Sequence, residues 1–223
     1  MIIQDGLRRM YAEQEDVYYY LTVMNENYRH PAMPDGAAPS IIKGMYLFAC
    51  RREERRRRPR VQLLGIGTIF REVIEAAALL KADWGVESDL WSCPSFTELA
   101  RDGMAVGSPQ PAEPDRKPRI SHVTQCLDGT QGPVIAATDY VRAFAEQIRA
   151  YVPRRYVVLG ADGFGRSDTR AKLRRYFEVD RYYVTIAALR ALADEGDDAR
   201  RGSSKRCRNT RSIRPSRRRG SPA

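Results

Sequence analysis

The sequence contains no uninterrupted apolar run approaching the roughly 18 residues that a membrane-spanning helix needs. Near the start, Asp5, Arg8, Arg9 and Glu13 occupy the place of a secretory apolar region. The chain is therefore expected to be cytoplasmic, with no membrane partner. Histidine is scarce, with only His30 and His122, and the four cysteines, Cys50, Cys93, Cys126 and Cys207, are widely spaced. Neither a zinc knuckle nor a redox pair is encoded by such spacing, so reduced thiols are expected. A complete dinucleotide fingerprint is also missing. Gly65-Ile66-Gly67 stands between a predicted strand and helix, but Phe70 occupies the place of the third glycine.

What is abundant is positive charge, and its location removes most of its meaning. The net charge is +10, yet residues 51–60 alone carry +5 and the last 27 residues carry +8. The remainder is mildly acidic, at −3. Arginine-rich runs without interleaved aromatics neutralise phosphates but do not stack bases, so no specific nucleic-acid partner is expected.

The 223 residues, 43% hydrophobic, suffice for one sizeable domain. Val61–Gly65 reads as a short strand, followed by helical spacing at Ile69, Val73, Ala76 or Ala77, and Leu80, with Thr68 as cap and Gly85 as stop. Residues 86–91 read as a second strand. Residues 94–101 read as a helix in which Ser95 precedes Glu98 as in a capping box. A third strand is predicted over 133–138, then Asp139 as the cap of a helix with one face at Val141, Phe144, Ala145, Ile148 and Tyr151. Residues 156–160 form the fourth strand. Two helices close the pattern over 171–177 and 182–193, the last apolar at Ile186, Leu189 and Ala193. Strands alternating with helices predict a three-layer α/β sandwich with a largely parallel sheet.

Two motifs remain. An aromatic run that ends one residue short of Met24 reads as a buried strand, and Met24-Asn-Glu-Asn-Tyr-Arg-His-Pro-Ala-Met-Pro34 leaves it as a polar loop of the kind that carries substrate-facing groups. Gly163-Phe164-Gly165-Arg166-Ser167-Asp168 lies between a strand and a helix, which Ser167 or Asp168 is expected to cap. It reads either as an anion site built on Arg166 or as a latch against a neighbouring domain, the latch preferred.

Four blocks carry a more specific resemblance: residues 16–34, residues 61–104 with Ser-Phe-Thr-Glu-Leu-Ala-Arg-Asp-Gly-Met at 95–104, residues 137–153, and residues 162–180. Together they resemble the C-terminal third of the homodimeric bacterial pyruvate dehydrogenase decarboxylating components, in the transketolase-like thiamine-diphosphate family. The resemblance implies that 1–24 is the terminal helix and strand of a truncated pyrimidine-binding domain. It further implies a loop and linker over 25–60, a transketolase C-terminal-like α/β domain over 61–196, and a basic disordered tail over 197–223. It also implies oxidative decarboxylation of pyruvate with thiamine diphosphate and magnesium. The acetyl unit passes to a lipoyl group on an acyltransferase partner.

In resembling proteins the magnesium-diphosphate motif and the activating glutamate precede the segment present here. The isolated chain is therefore expected to be inactive, and to self-associate or to associate with the upstream part of the enzyme. After Asn-Glu-Asn-Tyr these proteins place a basic or polar residue, often histidine, toward the cofactor cleft; this sequence has Arg29 there and His30 next. Arginine stays charged, whereas an imidazole can shuttle protons near neutrality. Arg29 and His30 are the candidate catalytic residues, with the alternative for His30 of an ordinary surface-loop histidine. For His122 a packing or hydrogen-bonding role is preferred.

The resemblance lapses over 51–60, over 106–115 and after Gly196, where the composition is that of out-of-frame translation of a guanine- and cytosine-rich gene; the competing reading is disordered insertion. A different class of function also stands as an alternative, a noncatalytic α/β scaffold whose basic tail contacts acidic partners.

Overall fold

The computed structural model describes residues 1–24, 27–50, 58–107 and 119–196. The expectations for the 51–60 linker, the 106–115 segment and the 197–223 tail therefore fall largely outside the described residues.

A five-stranded sheet organises the chain, in the order β1-β3-β2-β4-β5. Strands β2 (Arg60–Gly65), β3 (Glu87–Ser92), β4 (Val134–Ala137) and β5 (Tyr156–Leu159) run parallel, and β1 (Tyr46–Cys50) joins the edge antiparallel to β3. Strand side chains alternate between two cores. Val61, Leu63, Ile135 and Ala137 pack against α3 (Ile69–Leu79) and α8 (Arg181–Asp194). Leu64, Val134, Ala136 and Val158 pack against α4 (Phe96–Gly107), α5 (His122–Leu127) and α6 (Arg142–Glu146). The three-layer α/β sandwich is thus as expected.

Several local expectations need correction. The sequence pattern predicts four strands, and the fifth, β1, lies within the segment read as loop and linker; its pairing with β3 shifts register between Leu47 and Ala49, which breaks the clean alternation a strand pattern relies on. The aromatic run before Met24 is not a strand. A strand needs a neighbour, and none of the described residues pairs with it. Tyr19 instead folds back on the short helix α1 (Ile2–Leu7), laying its ring on Gly6 and donating its hydroxyl to Asp5 at 2.8 Å. Tyr18, Tyr20 and Val23 are left 86, 83 and 89% exposed.

On α8 the buried face is Val184, Thr185, Ala188, Ala191 and Leu192, so Ile186 points outward. The predicted helix over 141–151 divides into α6 and a 3-10 turn over Arg149–Tyr151; of its expected face Ala145 and Ile148 are fully buried, while Val141 and Phe144 are exposed. Helix α3 is as read, ending in a π turn over Leu80–Trp84 that Gly85 terminates at φ 64°. Its first turn differs in one respect: the Thr68 side chain makes no cap hydrogen bond and donates to Asp139 at 3.2 Å. Ser95 does cap its helix, accepting from the Glu98 amide at 3.1 Å. The glycine at 65 serves close packing, since a Cβ there would stand 2.9 Å from atoms of Phe70 and Val73.

Candidate active-site edge

Parallel strands end together, and the loops beyond their carboxyl ends form the natural crevice of an open α/β sheet. Here that edge is built from Ile66–Thr68, Thr138–Tyr140 and the 160–169 loop, and Thr22 and Tyr28 are fastened against it. Two tyrosines make the attachment. Tyr140 donates its hydroxyl to Thr22 Oγ1 at 2.7 Å, and its own amide donates to Thr138 Oγ1 at 3.0 Å. Tyr28 receives a hydrogen bond from Arg170 Nη1 at 3.1 Å, and the Arg71 guanidinium stacks 4.5 Å above its ring.

Asp139 was expected to cap α6, but its carboxylate accepts from Thr68, and the capping role passes to Asp162. Asp162 Oδ1 accepts from the Arg142 amide at 2.9 Å, and Oδ2 takes the Arg142 guanidinium. The amide first, then the guanidinium, hold the Asp162 carboxyl below its usual range. A capping carboxylate twenty residues downstream leaves no local signal, which explains the misreading.

The glycine loop resolves similarly. Gly163 takes φ 105°, a conformation that favours glycine, and Phe164 stands 95% exposed. The Arg166 guanidinium stacks on Tyr176 at 4.2 Å. Helix α7 (Arg170–Tyr176) is capped by neither Ser167 nor Asp168. Thr169 caps it, accepting from the Lys172 amide, while Asp168 accepts from the Thr169 amide at 2.7 Å.

Arg29 and His30 lie in an irregular loop with exposed side chains, and neither bonds to another described residue. His122 is elsewhere, buried as the first residue of α5. Its Nε2 lies 2.9 Å from the Met45 carbonyl oxygen and 3.5 Å from Cys126 Sγ. Burial pushes the Cys126 thiol up to about 11 and Cys93 higher still. None of the three described cysteines is in a disulfide. Among the described residues no group of three or more His, Cys, Asp or Glu side chains is placed to hold a metal ion. No described helix is long and apolar enough to cross a membrane.

A mostly parallel sheet covered on both faces, with an antiparallel edge strand, defines a three-layer α/β domain. The chain belongs to the family described as the transketolase-like TK C-terminal domain, which matches residues 44–180. Residues 1–31 match the pyruvate dehydrogenase E1 component middle domain.

Among curated relatives, the chain is 71% identical over 196 residues to the pyruvate dehydrogenase E1 component of Cupriavidus necator. The match covers 88% of this chain and 22% of that protein. It is 58% identical over 198 residues to the protein of that name from Pseudomonas aeruginosa, and 50% over 199 residues to that from Escherichia coli, each covering 88% of this chain and 22% of the relative. The chain thus spans about a fifth of the length of the relatives it matches. Among solved structures, transketolase from Leishmania mexicana aligns with a TM-score of 0.49 at 16% identity, covering 72% of this chain and 20% of that one. The resemblance read from the four sequence blocks therefore holds.

Proposed function

We propose that the chain is the C-terminal portion of a pyruvate dehydrogenase E1-type enzyme, and that it contributes the 27–34 loop and a docking face to an active site whose cofactor is held by other parts of the protein. The observation that carries this reading is the 71% identity over 196 residues to a pyruvate dehydrogenase E1 component. In this reading residues 1–24 belong to the preceding domain, 25–60 to the loop and linker region, 61–196 to the C-terminal domain, and 197–223 to a tail. The complete enzyme works in the cytoplasm with thiamine diphosphate and magnesium. It oxidatively decarboxylates pyruvate and passes the acetyl unit to a lipoyl-bearing acyltransferase.

In this reading the cofactor and its metal are held elsewhere in the enzyme, and the chain contributes side chains from its loop. Arg29, permanently cationic, holds an anionic group of substrate or cofactor in the cleft. His30 gives or takes a proton there. The exposed run around Tyr18, Tyr20 and Val23 is the face that the upstream domain covers.

The experiment is to supply the missing upstream part as a separate chain. Mixed, the two are expected to associate and release carbon dioxide from pyruvate in a thiamine-diphosphate-dependent manner, with neither active alone. A folded, stably associated pair without turnover would sink the proposal.

A further inference from the structure

Tyr28 is the one half-buried residue in the stretch 27–30; Asn27, Arg29 and His30 are all exposed, and the stretch has no regular secondary structure. Two arginines from different helices meet on that one ring. Arg71, in the first turn of α3, lies 4.5 Å over the face, and Arg170, the first residue of α7, donates to the hydroxyl at 3.1 Å. Cations brought this close repel, so the pairing persists only if the tyrosine between them is well placed and the helices are fixed.

The helices are fixed one step deeper in the fold. Glu72, adjacent to Arg71, is buried and accepts from Arg174 at 3.3 Å; Arg174 is one turn beyond Arg170 on α7. The same carboxylate accepts from Arg181 at the start of α8. The Thr169 cap sets where α7 begins and so where Arg170 projects.

We propose that Arg71 and Arg170 are positioning residues that clamp Tyr28 and thereby fix the loop presenting Arg29 and His30. The clamp spans the two matched regions, since Tyr28 lies within residues 1–31 and both arginines within 44–180. It therefore sets the loop's place relative to the C-terminal domain, independently of the Thr22–Tyr140 hydrogen bond upstream. The catalytic meaning of the clamp rests on the proposed function; its existence does not.

The test is limited trypsin digestion of the whole chain, with the Arg29–His30 cleavage product followed by mass spectrometry. Arg71→Ala and Arg170→Ala are each expected to speed that cleavage by about 5-fold while leaving the melting temperature within a few degrees, since opening of a loop tracks its local stability. Arg71→Lys, which keeps a cation over the ring, should restore most of the protection. Tyr28→Phe and Arg170→Ala should combine less than additively, because each removes the hydrogen bond that the two residues share. Unchanged cleavage in both alanine variants, or full additivity of Tyr28→Phe with Arg170→Ala, would overturn the clamp.

In the reassembled enzyme Arg71→Ala is expected to lower kcat more than it raises KM. If the alanine variants loosen the loop while Arg29→Ala and His30→Ala leave turnover untouched, the clamp stands and the proposed role of the loop falls.

Discussion

Arg181 grips Glu72 from two directions, donating its backbone amide at 3.2 Å and its Nε at 2.8 Å to the same carboxylate oxygen, so the first residue of α8 is tied to the first turns of α3. Burial by itself would raise the Glu72 carboxyl, but the Arg181 hydrogen bonds and the Arg181 and Arg174 charges outweigh it, and the group sits below its usual range. Glu72→Gln is expected to cost about 2 kcal/mol, less than a fully buried pair would lose because Arg181 is 36% exposed. A carboxyl lowered in the folded state stabilises above its unfolded pKa and loses that effect as pH falls through the folded value. Denaturant melts from pH 7 to pH 3 should therefore show the gap between the native chain and Glu72→Gln closing below about pH 4.5.

A second buried polar chain crosses the middle of the sheet. Trp91 Nε1 donates to Gln62 Oε1 at 2.8 Å, Gln62 Nε2 donates to Asp89 Oδ2 at 2.8 Å and to the Gln131 carbonyl at 3.0 Å, and Arg60 Nη1 donates to Asp89 Oδ1 at 2.6 Å. Gln62 is fully buried. Gln62→Ala strands the indole N–H and leaves a cavity, with an expected loss of about 3 kcal/mol by chemical denaturation. Gln62→Glu should do no better, because it sets a carboxylate against Asp89.

Gly132 takes φ 76°, and a Cβ there would collide with the Arg60 carbonyl and backbone at the start of β2. Gly132→Ala is predicted to destabilise by about 2 kcal/mol or more, read as a lower denaturation midpoint with unchanged slope. Gly67, also at positive φ but with open space around it, should tolerate alanine with the backbone penalty alone, about 1 kcal/mol.

Burial orders the thiols. At pH 8 the exposed Cys50 is expected to alkylate at least about 10-fold faster than Cys126 and Cys93, whose thiols burial keeps protonated. A peptide-resolved time course with iodoacetamide checks the order, which should vanish in denaturant. Equal native rates would show that the α4–α5 side of the sheet opens freely.

Most of the layered architecture was legible, because β2, β4 and α3 bury residues at the periods their sequences display. What escaped shares a physical feature: the deciding contact is remote. β1 is defined by its pairing with β3, α6 by a cap from Asp162, and the exposed face of α8 by how that helix seats on α3, none of which local periodicity encodes. The aromatic run before Met24 reads as a strand because it is patterned like one, and the described residues supply no sheet for it. At the candidate site the irregular loop that carries Arg29 and His30 was legible as a loop. Tyr28's attachment to Arg71 and Arg170 was not, since those residues are 43 and 142 positions away.

That unpaired run has a consequence in solution. With Tyr18, Tyr20 and Val23 exposed, the isolated chain is expected to self-associate, and sedimentation velocity should show a weight-average coefficient that rises with concentration at moderate salt. Adding the upstream part should abolish the rise. Concentration-independent monomer would mean that this face needs no cover.

The central claim, that this chain completes a decarboxylating site through its 27–34 loop, is tested most directly by single-turnover carbon dioxide release in the assembly of this chain with the upstream part. Arg29→Ala and His30→Ala chains, shown by sedimentation to assemble normally, are predicted to lower that rate by about 10-fold or more, within the usual contribution of a positioned charge or proton donor. Native rates in both variants would contradict the claim.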